Sequence, residues 1–376
     1  MIINIITTHR FHLLDLAREL SNQGYDVKFY SYVPSKRCIS FGVDKKQCVN
    51  FLWLVWPFFL LARLFPNNKK WQFDILMYRN RLIDWYISKT MRKCDILIAL
   101  GCVYIRSIQK AKQEWNAVTI LEWGSKHIIE QLKQFGKLDT YPQEQLESDL
   151  NEYNLVDYIS IAATHVKKSF LIHGIDERKL LVNPYGVNLS EFRPTIYSGE
   201  YDIISVGGWR FEKGSDLLVE VCKRYGYKLL HVGAIVNMRF PSESNFTHHE
   251  PVNQKYLINF YSKAKIFALP SRAEGLSLVQ AQAIACGLPV VCSKETGGID
   301  LAKNINSDSY IIEMESLDVE SLNIAIQKAL HIAAHQIGKR DYAGDSIHNL
   351  SWAAYGVRYS NYLKEIIQNE NKRYSY

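Results

Sequence analysis

Short, largely apolar runs alternate with helical patterns along this sequence, and midway the alternation starts over. The first half gives IINII (2–6), a helical pattern over about 11–23, VKFYSY (27–32), ILIAL (96–100), a helical pattern near 104–114, VTILEW (118–123) and YISIAA (158–163). These runs place apolar residues on consecutive rather than alternate positions, with few polar interruptions, so both faces must be covered, as in a parallel sheet lying between helices. After Phe192-Arg193-Pro194 and a turn at Tyr197-Ser198-Gly199 the order restarts with DIISVG (202–207), KLLHVG (228–233), IFAL (266–269) and PVVCS (289–293). A chain of 376 residues also exceeds what one hydrophobic core usually fills. The expectation is two α/β units, 1–195 and 196–350, followed by a helix within 351–376. In that last segment Trp352, Tyr355, Tyr359, Tyr362, Leu363 and Ile366 recur at helical spacing, so one face needs a surface to dock on.

Composition narrows the classes without choosing a function. Apolar residues are 47% and charged residues 22% of the chain, ordinary values for a globular protein. The formal charge of +7 favours anionic ligands in general, and no nucleic-acid partner is expected. The seven cysteines include no C-x-x-C pair, which argues against a disulfide framework or a zinc site and for a reducing, cytoplasmic setting. MIINII turns polar at Thr7 and reads as a buried strand, too short for a signal peptide. Residues 51–65 (FLWLVWPFFLLARLF) are too few, and interrupted by Pro57 and Arg63, to span a bilayer. With Lys45, Lys46, Lys69 and Lys70 on its flanks, segment 51–70 is either a core helix or a peripheral seat on an anionic membrane at its cytoplasmic face.

The residues that carry chemistry cluster where the second-half strands end. After the strand closing at Leu269, the loop Pro270-Ser271-Arg272-Ala273-Glu274-Gly275-Leu276 leads into a helix opening near Ser277 and Leu278 and stopping at Gly287-Leu288-Pro289. Ligands of α/β sheets bind at this edge. Gly275 allows close approach, and the unpaired N–H groups of the first helical turn, at the positive end of its dipole, make a phosphate site. Glu274 can accept hydrogen bonds from sugar hydroxyls, and Gln282 lies two turns along the same helix. Taken singly, these residues also suit a helix packed tightly on a sheet.

The string as a whole resembles the donor motif of family 4 glycosyltransferases, E-G-F-G-L-x-x-x-E-A-M-A-C-G-x-P-V, with Gln282 in place of the second Glu. Ser205 to Asp216 (SVGGWRFEKGSD) resembles the same family's V-G-R-x-x-x-x-K-G-x-D segment. Lys213 matches the family Lys, whereas Gly208 occupies the usual Arg position, so that Arg210 serves in its place only if the loop takes another path. Asn183 to Pro194 is similar to the family's interdomain segment, and Leu121-Glu122-Trp123-Gly124-Ser125-Lys126-His127 to an E-R-G-S-x-H variant. The usual glycine pair of the first loop is absent, its place taken by Ile5-Ile6-Thr7-Thr8-His9-Arg10.

What the resemblance implies is a GT-B fold of the bacterial surface-polysaccharide type: two facing Rossmann-like domains with a cleft between them and the C-terminal helix crossing back. It implies a retaining transferase moving a sugar from a UDP- or GDP-sugar to a glycan or lipid-linked saccharide, with no cofactor and no metal. The chain contains no D-x-D motif. Lys213 and Arg210, with backbone groups of Gly208, Gly275, Leu276, Ser277 and Leu278, would hold the diphosphate, Gln282 the ribose, and Glu274 the donor sugar. His127 is the candidate to face that sugar across the cleft, with Glu122 competing for the role. A non-catalytic binding subunit and a nucleotide-sugar epimerase of the same fold are the other readings.

Overall fold

A computed structural model describes residues 1–101, 103–306, 309–335 and 344–373, the side chains of 370–373 excepted. Cys102 and the last three residues of the C-terminal segment lie outside the described residues. In the first half, β1 (Ile2–Ile6), β2 (Asp26–Ser31), β3 (Cys48–Asn50), β4 (Ile96–Leu100), β5 (Val118–Trp123), β6 (Tyr158–Ile161) and β7 (Leu180–Val182) form one sheet in the order β3-β2-β1-β4-β5-β6-β7, all parallel. In the second, β8 (Tyr201–Val206), β9 (Leu229–Val232), β10 (Phe246–His249), β11 (Ala264–Leu269), β12 (Val290–Cys292) and β13 (Ile311–Glu313) form a parallel sheet in the order β10-β9-β8-β11-β12-β13. The molecule is therefore α/β, with two Rossmann-like domains. Ile3, Ile5, Ile96, Ile98, Ile203, Ile204, Phe267 and Val291 are fully buried, as strands covered on both faces require.

Helices connect the strands. The first half contains α1 (Leu13–Asn22), α2 (Ser35–Ser40), α3 (Leu52–Leu64), α4 (Lys69–Thr90), α5 (Ile105–Trp115), α6 (Ile128–Gln134), α7 (Gln143–Leu155) and α8 (Thr164–Ile172). The second contains α9 (Ser215–Tyr225), α10 (Ile258–Tyr261), α11 (Leu278–Ala285), α12 (Gly298–Asn304) and α13 (Val319–Ala334), and then α14 (Trp352–Arg373).

The last helix leaves the second sheet and packs on α1 of the first. Its Tyr355, Tyr359, Leu363 and Ile366 are the buried face that the spacing anticipated. Gly356 permits the close approach, since a Cβ there would come 2.4 Å from Cβ of Glu19. Arg358 donates to the carbonyls of Pro184 and Asn349 and to Asn183 Oδ1, each at 2.9 Å, and thereby ties the helix to the interdomain segment. Parallel strands all end at one edge of their sheet, so the loops after β1, β4, β5 and β6 share one edge of the first domain, and those after β8 and β11 share one edge of the second.

Candidate donor site

Two loops of the second sheet are sewn together at that edge. Gly214 has φ 71°, and a Cβ there would come 2.0 Å from the Pro270 carbonyl oxygen, so only glycine fits both the turn and the contact. The Glu212 carbonyl accepts from Ser271 Oγ at 2.9 Å and from the Arg272 N–H at 2.8 Å. The Arg272 guanidinium forms two 2.7 Å bonds with Asp216 and stacks 3.8 Å from the Phe211 ring. Held this way, Lys213 Nζ reaches Glu274 Oε1 in an ion pair, and Ser271 Oγ donates to the same oxygen at 3.3 Å. The two residues singled out from separate motifs therefore meet.

Arg210 shows what replaced the missing arginine. Its guanidinium lies against Gly208: a Cβ on Gly208 would come 2.9 Å from Nε and 3.0 Å from Nη2. The space that a side chain at 208 would enter is filled by Arg210 folding back, and the buried Nε has no hydrogen-bond acceptor among the described residues. An unmet guanidinium donor on the loop that carries Lys213 suits an anion.

Helix α11 opens at Leu278, with Ser277 as its N-cap in extended conformation. The Ser277 N–H is a long 3.5 Å from the Thr296 carbonyl, and while the Gln280 N–H donates to the Ser277 carbonyl at 3.1 Å, those of Leu278 and Val279 have no carbonyl inside the helix to bond. Leu276 is buried beneath this turn, near Gly297. Gln282 is buried too, its Oε1 accepting from Tyr261 OH at 3.2 Å. With Leu278 it lines a cavity of about 250 Å³ shared with Arg10, Phe11, Tyr185 and Trp352, between the two domains.

The first domain closes on this loop. A Cβ on Gly275 would come 1.7 Å from the Gly124 carbonyl oxygen. His165, at the start of α8, donates from Nε2 to the Glu274 carbonyl at 2.9 Å. Burial lowers the pKa of His165, which keeps the ring neutral, and its Nδ1 is buried without a partner among the described residues. Lys126 pairs with Glu295, Gln134 Nε2 donates to the Arg272 carbonyl, and the Thr164 N–H donates to Asp300 Oδ2 at 2.9 Å.

His127 is placed elsewhere, which corrects the expectation that it faces the reacting sugar. Its ring is 2% exposed, stacks on His173 at 4.2 Å and packs on Tyr153 and Phe170. Burial, and then the neighbouring His173, push its pKa down to about 4. Glu122 is occupied as well: its carboxylate accepts from Tyr359 OH at 2.6 Å and lies 2.7 Å from His12 Nε2, all three buried. That trio latches α14 to the first domain. Sequence reasoning passed over His165, although its place directly after a strand end, at the head of a helix, was a signal for it. The loop after β1 holds Phe11 at φ 34°, a left-handed conformation unusual for a side chain of this size, with the ring over Gly124.

With this geometry established, likeness to known proteins can be weighed. Residues 188–343 match the family model for glycosyl transferases group 1. Over that stretch the chain resembles a group 1 glycosyltransferase domain. The matched stretch carries both loops that hold Lys213 and Glu274. A D-inositol 3-phosphate glycosyltransferase from Segniliparus rotundus is 28% identical over 202 residues, 45% of this chain and 45% of that protein. An uncharacterised glycosyltransferase from Methanocaldococcus jannaschii is 28% identical over 107 residues, 26% of this chain and 30% of the relative. The chain thus spans less than half the length of these curated relatives. Among solved structures, sucrose-phosphate synthase from Thermosynechococcus elongatus covers 98% of this chain and 100% of its own at TM-score 0.70 and 16% identity. Anabaena HepE in complex with UDP-glucose covers 97% and 100% at TM-score 0.64 and 12% identity. These likenesses extend over both sheets and show the GT-B fold.

Proposed function

We propose that the chain is a retaining glycosyltransferase that needs no metal and moves a sugar from a UDP- or GDP-sugar to a glycan or lipid-linked saccharide. The work belongs to cell-surface polysaccharide synthesis on the cytoplasmic face of the membrane. The observation that carries the reading is the meeting of Lys213 and Glu274, the latter in the loop leading into α11, together with a buried, unpaired Nε on Arg210 in the loop that carries Lys213.

In the reaction the C1–O bond to the diphosphate breaks and its electron pair goes to the phosphate oxygen. Lys213, Arg210 and the N–H groups of Ser277 and Leu278 stabilise that growing charge, the task a metal ion performs elsewhere. The acceptor hydroxyl adds to C1 from the face the phosphate leaves, and its proton passes to the departing phosphate oxygen. Bound diphosphate draws Lys213 from Glu274, whose carboxylate then accepts from hydroxyls of the donor sugar. Closure of Gly275 on Gly124 excludes water from this step. The use of Gln282 for the ribose keeps hydrogen bonding through its amide.

The test is calorimetric titration of native protein and Lys213→Ala with UDP, GDP and ADP, followed by a product assay. One nucleotide binds the native chain and the variant loses it. If no nucleotide binds, the transferase reading fails in favour of a non-catalytic subunit. If the sugar nucleotide is isomerised rather than cleaved, the epimerase reading replaces it.

A further inference from the structure

An apolar helix normally finds cover inside its own protein, and α3 finds it on one face only, through Leu52, Leu54, Val55 and Phe59. Of its residues Leu52–Leu64 only Val55 is buried. Trp53 is 64% exposed, Trp56 53% and Leu64 70%, and Trp71 and Leu76 extend the same open surface onto α4, against which α3 packs. Scattered exposed apolar residues are ordinary, but a two-helix projection of them needs an occupant.

Charge selects the occupant. Between residues 51 and 81 the basic side chains are Arg63, Lys69, Lys70 and Arg79, with Arg81 on the far, cavity-lining face of α4, against a single acid, Asp74, which lines that same cavity. None of these five bases forms an ion pair among the described residues. A second copy of the chain would set this cationic surface against itself, because a two-fold contact pairs each patch with its own image. An anionic bilayer offers apolar depth and opposite charge together. At about 1.5 Å per residue α3 is roughly 20 Å long, short of a hydrocarbon core of about 30 Å, so it lies in the interfacial layer. No helix among the described residues is long and apolar enough to cross a membrane.

The opposite face of α4 explains why a seat belongs here. A cavity of about 490 Å³ lies between α4, α5 and α7, lined by Tyr78, Asn80, Arg81, Arg106 and Gln145. It adjoins Val103, in the loop after β4, and so sits at the same sheet edge as the cleft loops. Gln145 Oε1 is buried there with no donor among the described residues, as a pocket for a hydroxyl-rich ligand requires.

We propose that the α3–α4 hairpin seats the protein in the interfacial layer of an anionic membrane, with the cavity across α4 receiving a saccharide carried by that membrane. This deepens the transferase reading, on which the cavity's role rests, by making the acceptor membrane-borne.

Vesicle flotation tests it, using phosphatidylcholine vesicles with and without phosphatidylglycerol, with UDP, GDP and ADP calorimetry on the same samples. The native chain floats with the anionic vesicles, and partition into phosphatidylcholine alone is about tenfold weaker or less. Trp53→Ser, Trp56→Ser and Leu64→Ser combined reduce anionic partition about tenfold or more, while nucleotide binding stays unchanged because these exposed residues lie far along the chain from the donor loops. Lys69→Ala with Lys70→Ala weakens partition and removes most of its salt dependence. The idea is overturned if the native chain stays unbound to anionic vesicles or if the triple variant floats as the native does. It is equally overturned if sedimentation velocity shows a native dimer that the triple substitution dissolves. Failure of the native chain to bind any of UDP, GDP and ADP counts against the donor site alone, so the two failures are separable.

Discussion

The backbone of Gly275 lies against that of Gly124, so close that a Cβ on Gly275 would come 1.7 Å from the Gly124 carbonyl oxygen. One residue belongs to the donor loop and the other to the end of β5, so this contact measures how tightly the domains close. Gly275→Ala must push them apart, because a backbone carbonyl on the opposing strand end cannot swing away as a flexible side chain does. Small-angle scattering should show a larger radius of gyration. Sugar transfer should fall by about tenfold or more, the scale of a displacement near 1 Å at a reacting centre, with nucleotide affinity changed much less.

Lys213 and Glu274 should separate by role. Lys213→Ala removes a charge-assisted contact to the diphosphate, worth about 1.5–3 kcal/mol, and should weaken nucleotide binding about tenfold or more. Glu274→Gln keeps the shape and removes the charge. It should leave nucleotide Kd nearly unchanged and lower kcat, which steady-state kinetics alongside calorimetry would show.

The latch of His12, Glu122 and Tyr359 predicts a stability effect without a binding effect. His12→Ala takes away one hydrogen-bond partner of a buried carboxylate 2.7 Å distant, at a cost of about 1–3 kcal/mol, to which the loss of its packed ring adds. Tyr359→Phe deletes one hydrogen bond and leaves the carboxylate its other partner, costing about 1–3 kcal/mol. Denaturant melts rank the two variants. A Tyr359→Phe protein as stable as the native chain would sink the assignment of this trio as the anchor of α14.

Buried His127 predicts a pH dependence. Its folded pKa of about 4 lies below the ordinary value of about 6.5. Above the ordinary value the ring is neutral in both states and its stability contribution is complete. As pH falls through this window, the unfolded chain takes up a proton that the folded chain refuses, so stability is lost down to about pH 4. Tm should therefore fall with acid across that range, and His127→Phe should flatten part of the slope. His231, also driven to about 4 by burial, supplies a further part.

Much of this protein could be read from its residues. Largely apolar strands such as ILIAL and DIISV can be satisfied only between two helical layers, so the parallel sheets followed from local pattern. The loops carrying Lys213 and Glu274 were legible because glycines at 214 and 275 mark places where backbone must turn or touch.

Sequence by itself determined the two sheets, the edge at which the candidate donor loops gather, and the residue types offered there. Only the tertiary structure decided which side chains face which. It put His127 into an aromatic cluster and brought His165 to the donor loop, spent Glu122 on holding α14, folded Arg210 over Gly208, and left one face of α3 uncovered. Each of those outcomes depends on contacts between residues far apart in the chain, as with Glu122 and Tyr359. Local periodicity fixes a residue's face within its own helix or strand, but the packing of whole elements determines what that face meets.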